Sequence, residues 1–377
     1  MIFFRFGFLG FGGPIAVVGL LEEELVKKKK WLSSEKFSQL FSVCKLLPGP
    51  ISTQMAIAVA EERAGKLGGL CAGFFFILPS FMIVLLLSIF YAHTPVVTRY
   101  AELFTGLQVG ALIVIGLSII QFVKPYRRSL RAWLIFTVSA VLVFYFPRYE
   151  PLVILFFGAL GAVFFTPVSR GPSEDRSPRA KKKTQFHSVF WLGIPATVYS
   201  AKLFDLFWMC FKAGAFVFGT GLAIVPVLEA EAVNRFHFLT HLQFMDGLAI
   251  GQITPGPVVI TATFIGYQAA GLSGALVATL GMFLPAFINV LVLVPLIFGR
   301  FEKSPRSKSF SAFAMPAVIG AIFGASVHLG MLTLRSNFLL AVFLLGVLFA
   351  GLRKTPPWIL IPAVGVITLV LKTYFVK

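Results

Sequence analysis

CKLLPGPISTQ (residues 44–54) and GQITPGPVVIT (residues 251–261) place the same proline–glycine–proline triplet in two apolar segments of the chain. Proline lacks the amide hydrogen that a helix needs, and it pushes the residue before it out of the helical conformation. Each triplet therefore predicts a break in a helix. The triplets lie 207 residues apart (255 − 48), which indicates that the chain carries one broken element twice.

Residues on both sides of the triplets match at the same shift. Upstream, the first-half residues are Phe4, Gly7, Phe11, Gly12, Glu22, Glu24 and Leu32, and their partners are Phe211, Gly214, Phe218, Gly219, Glu229, Glu231 and Leu239. Downstream, after one deleted residue, Gly65, Gly68, Leu78, Pro79 and Phe81 match Gly271, Gly274, Leu284, Pro285 and Phe287. Chance similarity between apolar segments is the alternative. Paired glutamates and a shared triplet at one offset favour an internal duplication.

The composition requires a lipid environment. Of the 377 residues, 58% are hydrophobic and 13% are charged, with a mean hydropathy of +0.89. A soluble domain could not hide that much apolar surface in its core. The apolar segments cover residues 2–21, 37–60, 67–92, 103–123, 132–146, 150–166, 203–227, 243–267, 272–299, 311–333, 337–350 and 356–375. Most have the length of a membrane-spanning helix, and the chain lacks the alternation of barrel strands, so we predict an all-α polytopic membrane protein.

A polar linker divides the chain. From residue 166 to residue 186 the sequence reads TPVSRGPSEDRSPRAKKKTQF, which is rich in proline, serine and charge and has little to bury. We predict an N-terminal repeat over residues 1–166, a basic cytoplasmic linker over residues 167–187, and a C-terminal repeat over residues 188–377.

The net charge of +18 lies in short runs between apolar segments rather than on one polar face, which argues against nucleic-acid binding. Lysine and arginine in short loops mark the cytoplasmic side of the inner membrane. Basic loops of the first half are residues 27–30, 124–131 and 181–183, whereas those of the second half, 300–308 and 353–354, are shifted by one loop. Equivalent loops thus face opposite sides, which predicts two inverted-topology repeats.

One segment of each half does not fit a simple crossing. Charged residues precede and follow residues 37–60, and both charged stretches are predicted to be cytoplasmic. This segment is therefore predicted to enter the membrane and return to the same side. The count is about five transmembrane helices plus one re-entrant helical hairpin per repeat. An alternative remains open, in which the first segment of each half is also re-entrant and residues 188–204 form an extra span.

Glycine-rich stretches occupy the first segment of each half: GFLGFGGP at residues 7–14 and GAFVFGTG at residues 214–221. Close helix packing is one interpretation. The other is that broken helices present amide donors and the positive ends of their dipoles to an anion. On this hypothesis the amides lie near Gly12, Gly13, Gly49, Gly219 and Gly256.

Polar side chains flank both triplets and are candidates for substrate binding: Lys45, Ser52, Thr53, Gln54, Gln252 and Thr254. The alternative interpretation is that the hydroxyls only satisfy carbonyls that the breaks release. An intramembrane lysine is costly and marks a functional site by default, although Lys45 could also extend to the surface.

The recurring glutamates Glu22, Glu24, Glu229 and Glu231 are candidates for carrying a coupling proton, with solvated loop carboxylates as the alternative. Three cysteines and five histidines show no metal-binding spacing, and no catalytic nucleophile or phosphate loop is present. We therefore predict no metal, no cofactor and no enzymatic activity.

FGGPIA (residues 11–16), LPGP (47–50) with Gln54, GQITPGPVVITATFIGY (251–267) and FLPAF (283–287) together resemble the chromate ion transporter family in its long form with two fused halves. The resemblance covers nearly the whole chain and implies proton-driven export of chromate and chromate resistance. The chain departs from the family pattern at Lys45, where many members have glutamine. Uptake or exchange of sulfate or another oxyanion, or an anion channel, are the alternatives. The implied partners are chromate or a sulfate-like oxyanion, protons and membrane lipid, and a homodimer stays open.

Overall fold

The structure, a computed structural model, describes residues 2–10, 13–94, 100–164, 198–216, 221–295, 305–353 and 355–375. These residues form helices joined by short turns, and no strand occurs among them. Four of the described helical stretches are long and apolar enough to cross a membrane: Ile51–His93, Ala101–Tyr126, Val258–Leu293 and Ser309–Thr333. The prediction of an all-α membrane protein is therefore confirmed. The predicted linker lies outside the described residues.

The described part of the first half contains seven α-helices. They are α1 (Ile2–Leu9), α2 (Gly13–Leu21), α3 (Ser34–Leu46), α4 (Ile51–His93), α5 (Ala101–Val123), α6 (Leu130–Tyr145) and α7 (Glu150–Phe164). A π-helical turn, Glu22–Lys28, continues α2. Helix α1 ends at Leu9 and α2 begins at Gly13, both within the glycine-rich stretch for which close packing and a broken helix were the two interpretations.

The second half repeats this order in the part of the chain that is described. Its helices are α8 (Val198–Ala215), α9 (Val225–Glu229), α10 (His241–Ile253), α11 (Thr261–Ile288), α12 (Pro305–Thr333), α13 (Asn337–Arg353) and α14 (Pro357–Phe375). A π-helical turn, Ala230–Arg235, follows α9, and another, Asn289–Leu293, follows α11. A short 3-10 turn, Val258–Ile260, precedes α11.

The backbone reproduces the internal duplication at two special positions. Gly49 and Gly256, at the centres of the two triplets, both have positive φ, 124° and 105°. Helices α4 and α11 each contain a kink at an alanine–glycine pair, where Gly65 and Gly271 have φ of 70° and 62°. Positive φ favours glycine because it has no β-carbon. The duplicated glycines are thus required by the chain path at the same place in each half.

The two halves pack through reciprocal contacts. Helix α5 of the first half packs against α13 and α14, and its counterpart α12 packs against α6 and α7. Small residues allow the close approach: Gly320 and Gly324 of α12 lie against the backbone of Phe136 and Ala140 in α6. One cluster of buried apolar side chains includes residues from both halves. The halves therefore form one intertwined body rather than two separate domains.

Counterpart sections of α4 and α11 also touch, after their kinks. A β-carbon built at Gly73 would meet Phe287, and one built at Gly69 would meet Leu291. Residue numbers fall along α4 while they rise along α11, so these two equivalent sections run antiparallel.

Large apolar side chains cover much of the outer surface. Leu67 and Leu352, for example, are 77% and 78% exposed. A large exposed apolar area is unfavourable in water and is typical of a surface that contacts lipid. Together with the four long apolar helices, it indicates a multi-pass membrane protein.

Candidate functional site

The first break lies between α3 and the first section of α4, with the triplet Pro48–Pro50 between them. Ser33 caps the start of α3, and Leu47 ends it in an extended conformation. Helix α4 then begins at Ile51. Helix α3 has 13 residues, and the section of α4 before Gly65 is equally short, so each is about 20 Å long. Neither section alone reaches across a hydrocarbon layer of about 30 Å.

The carbonyl of Pro48 is held by one side chain from each half. Gln54 Nε2 donates to it at 2.6 Å, and Asn289 Nδ2 donates to it at 2.5 Å. Because a broken helix leaves carbonyls without amide partners, these two donors stabilise the break. Asn289 was missed from the sequence, since nothing near it in the chain points to a residue 241 positions away.

Two hydroxyls beside the first break are buried and have no hydrogen-bond partner in the described part of the chain. Ser52 and Thr53 are 1% and 0% exposed. They lie in the first turn of α4, which no side chain caps. Burying a hydroxyl without a partner is unfavourable, and the first amides of a helix also seek acceptors. This turn is therefore a set of donors suited to a ligand rich in acceptors.

The second break carries fewer donors. The amide of Gly256 donates to the carbonyl of Gly10 at 3.0 Å, which joins this break to the first segment of the first half. Thr254 Oγ1 donates to the carbonyl of Gly251 at 3.1 Å, so its hydrogen is already used within α10. Gln252 differs, because it is buried and neither atom of its amide group has a partner among the described residues.

Ser80 joins the site although the sequence did not single it out. A β-carbon at Gly256 would collide with Ser80 Oγ, and this buried hydroxyl has no partner among the described residues. At the first break the equivalent neighbour of Gly49 is Ala286, 3.6 Å from a built β-carbon. Each break thus packs against the proline-containing helix of the other half. The signal was LPSF at residues 78–81 against LPAF at residues 284–287.

The other predicted site residues lie differently. Lys45, in the last turn of α3, is exposed, while its neighbour Cys44 is buried. Lys45 pairs with no carboxylate in the described ranges. Gly13 begins α2, and Gly12 and Gly219 lie outside the described residues. The structure therefore places Ser52, Thr53 and Gln54 together at one break and Gln252, Thr254 and Gly256 at the other.

The four predicted proton-coupling glutamates fall into two classes. In the second half, Glu231 is buried and contacts Lys212 at 3.0 Å and Arg235 at 3.1 Å. Buried Glu229 contacts His241 Nδ1 at 3.1 Å. In the first half, Glu22 and Glu24 are only partly buried, and Glu24 pairs with Lys28 at 3.3 Å. No group of His, Cys, Asp and Glu side chains with metal-binding geometry occurs in the described part of the chain.

The family model described as "Chromate transporter" matches this sequence in two parts, residues 1–163 and 204–369. The chain belongs to the chromate transporter family. The family resemblance predicted from its motifs is confirmed, and membership identifies a transporter rather than an enzyme. The two matched parts carry the two breaks described above.

Curated relatives of this chromate transporter family member cover most of its length. It is 36% identical over 338 residues to "Chromate transport protein" of Cupriavidus metallidurans. The aligned region covers 87% of this chain and 81% of the relative. It is 32% identical over 355 residues to "Probable chromate transport protein" of Synechococcus elongatus (92% and 86%). It is 30% identical over 341 residues to "Chromate transport protein" of Pseudomonas aeruginosa (88% and 80%). No solved structure matches the chain.

Proposed function

We propose that this protein exports chromate across the cytoplasmic membrane, driven by the proton gradient, and that the two breaks bind the oxyanion on its way. The observation that carries the proposal is the set of buried polar side chains at these breaks that have no hydrogen-bond partner among the described residues. It consists of Ser52, Thr53, Ser80 and Gln252.

The chemistry of this set suits a tetrahedral dianion. Chromate offers four oxygen acceptors and no donor, so replacing its hydration shell requires several donors. Serine and threonine hydroxyls and the glutamine amide supply them, and the uncapped first turn of α4 adds amide groups and a positive dipole end. In an apolar surrounding each of these charge-assisted hydrogen bonds is stronger than in water. Gln54 and the backbone near Gly13 and Gly49 would shape the break around the anion.

The halves are proposed to be inverted repeats that rock around the bound oxyanion. The antiparallel contact between equivalent sections of α4 and α11 supports inversion, because parallel repeats would bring such sections together in parallel. Two sections of about 20 Å on either side of each triplet support a re-entrant hairpin. Irregular backbone at that depth is tolerated where protein surrounds it, and both triplet glycines are buried.

Two further groups have supporting roles in the proposal. Exposed Lys45 would raise the local concentration of anions near the first break rather than contact the bound anion. Glu22 and Glu24 stay candidates for proton exchange, because they are less buried and less firmly paired than Glu229 and Glu231.

Transport into inverted, energised membrane vesicles tests this function, since such vesicles accumulate what the cell exports. We expect chromate to accumulate, accumulation to collapse with a proton uncoupler, and an equal concentration of sulfate to leave it largely intact. Vesicles with the S52A/T53V protein at matched abundance are the control for background uptake.

Each alternative gives a different result in the same vesicles. Full suppression by sulfate would identify another oxyanion as the substrate, since sulfate has the same charge and shape as chromate. Chromate flux that ignores the uncoupler and follows the membrane potential would identify an anion channel. No flux in either vesicle orientation would contradict the proposal.

A further inference from the structure

Asp246 of α10 is held by two neutral donors from the other half. Tyr91 Oη in α4 donates to one carboxylate oxygen at 2.8 Å, and Gln108 Nε2 in α5 donates to the other at 2.7 Å. Asp246 is 2% exposed. Glu229 and Glu231, which are also buried, contact basic side chains instead. Asp246 therefore combines burial, neutral partners and a contact between the two halves.

The carboxylate is buried within α10 and near one end of α4: Asp246 is the sixth residue of α10, and Tyr91 lies two residues before the end of α4. Gln108 lies seven residues into α5, about 10 Å from its start. Asp246 also precedes the unpartnered Gln252 by six residues on α10, about 9 Å along the helix axis. An ionisable side chain buried between the helices of a membrane protein is costly and marks a function by default. The carboxylate is thus linked by one rigid helix to the second break.

The charge of Asp246 determines how firmly α10 is held. The ionised carboxylate accepts both hydrogen bonds, and charge-assisted bonds are roughly twice as strong as neutral ones. After protonation the group carries a hydrogen of its own, so one of its oxygens becomes a donor that faces another donor. Tyr91 or the amide of Gln108 must then reorient. Proton uptake therefore weakens the contact that joins α10 to α4 and α5.

We propose that Asp246 carries the coupling proton, and that its protonation releases the second break from the first half. This role rests on the proposed function, because it requires transport that is coupled to protons. Oxyanion binding at Gln252 and proton binding at Asp246 would then bias the same helix, which is what coupling between two ligands requires.

Other titratable groups on the elements around α10 have partners of their own. Glu102 of α5 pairs with Lys372 of α14 at 2.6 Å, and His241 of α10 pairs with Glu229. Among the described residues toward this end of α4 and α11, the rings of His93 and Tyr267 face each other, with their centroids 6.5 Å apart. None of these pairs includes Asp246.

Glu150 is the rival carboxylate and provides a matched control. It is fully buried, and neither of its oxygens has a partner among the described residues. It begins α7, however, which packs on α6 and α12 rather than on the helices that carry the triplets. We expect E150Q to leave the coupling of chromate to protons intact.

The test uses the full-length protein in liposomes and measures two processes. Counterflow, the exchange of labelled for unlabelled chromate without a pH gradient, reports oxyanion movement alone. Accumulation under an imposed pH gradient, followed with a trapped pH indicator, reports coupling. In D246N we expect accumulation and chromate-dependent proton movement to fall at least about tenfold, while counterflow stays within about threefold of wild type. E150Q should keep both processes.

Several outcomes would overturn this role. Accumulation that survives in D246N, or is lost in E150Q instead, removes Asp246 as the proton carrier. Loss of counterflow in folded D246N assigns it a structural role. If D246N does not fold, Y91F removes one donor and should shift the pH of half-maximal accumulation, and an unchanged profile contradicts the proposal. Wild-type counterflow without accumulation would reject proton coupling itself, whereas wild-type protein without counterflow would reject chromate as the substrate.

Discussion

The two breaks have a similar backbone conformation but carry different side chains. Ser52 and Thr53 follow the first triplet, and the equivalent positions after the second triplet are Val259 and Ile260. All four side chains are buried to about the same extent. Duplication thus fixes the path of the chain at both breaks, whereas side-chain identity decides which break offers donors. The first break offers hydroxyl donors to an anion, whereas apolar side chains fill the equivalent positions after the second triplet.

The same contrast appears where each break meets the other half. Ser80 contacts the second break, and Ala286 contacts the first. The first half therefore contributes hydroxyl donors to both breaks, whereas the second half contributes amides, through Gln252 and Asn289. A site between duplicated halves does not need symmetric chemistry. In the proposed mechanism, hydroxyls of the first half and Gln252 of the second half bind the anion, while Asp246, on the same helix as Gln252, binds the proton.

The largest effect is expected from a substitution at a glycine whose backbone conformation is common to both breaks. In G256A, the new methyl group would collide with Ser80. The alanine would also have to adopt a φ of 105°, which is strained for any residue with a β-carbon. Strain of about 1–3 kcal/mol and overpacking of about 1–3 kcal/mol add to a severe destabilisation. We expect loss of chromate transport and a clearly lower melting temperature in detergent.

G65A is the matched control for this glycine. It has φ of 70° and no atom within 4 Å of a built β-carbon, so only the strain applies. We expect a loss of about 1–3 kcal/mol and substantial transport activity. S80G in the G256A background should restore part of the melting temperature, because it removes the collision but not the strain. Equal damage in G65A and G256A would contradict this account of the second break.

A smaller but more specific effect is expected from making the first break resemble the second. S52A/T53V removes two hydroxyl donors with little change in volume. Hydrogen bonds to charged groups contribute about 1.5–3 kcal/mol each, so the loss of two of them should lower chromate flux at low concentration by about a hundredfold or more. Folding should be unaffected or slightly improved, because two unpartnered buried hydroxyls disappear.

V259A/I260V is the matched control for S52A/T53V. It removes buried methyl groups at the second break and is expected to lower the melting temperature by the cost of small cavities, with chromate affinity retained. The two double variants should therefore separate: one loses affinity and keeps stability, and the other loses stability and keeps affinity. If both lose affinity equally, the breaks are chemically equivalent and the comparison above is wrong.

The sequence predicted the breaks because they depend on local chemistry, and it predicted the duplication because the repeat can be read directly from the residue order. Proline and glycine act on their own backbone, and a repeated offset is visible without any contact map. The pairs that complete the site are not local: Pro48 with Asn289, Gly256 with Ser80, and Asp246 with Tyr91 and Gln108. Helix periodicity could not place them either, since buried and lipid-facing positions are both apolar in a membrane helix.

Lys45 is another residue whose surroundings could not be predicted from the sequence alone. A cation inside an apolar segment suggested either a binding residue or a lysine that extends to the surface, and the last turn of α3 leaves Lys45 exposed. Long lysine side chains can keep their charge outside while their methylene groups cover apolar surface. The equivalent residue of the second half is Gln252, which is buried and unpartnered. Matching positions in the two halves thus differ in both chemistry and exposure.

The smallest effect is therefore expected from K45Q, which gives the first half the residue of the second. Without a contact to the bound anion, the lysine acts only through its field, which salt screens within about 10 Å at 0.1 M. We expect the chromate concentration for half-maximal transport to rise by no more than about threefold, with an unchanged maximal rate. The rise should vanish in high salt. Q252L is the matched variant at the buried position, and there we expect roughly tenfold or greater loss that salt does not alter. A salt-independent loss in K45Q as large as that in Q252L would show that Lys45 reaches the anion after all, and the site would then be more symmetric than its buried side chains indicate.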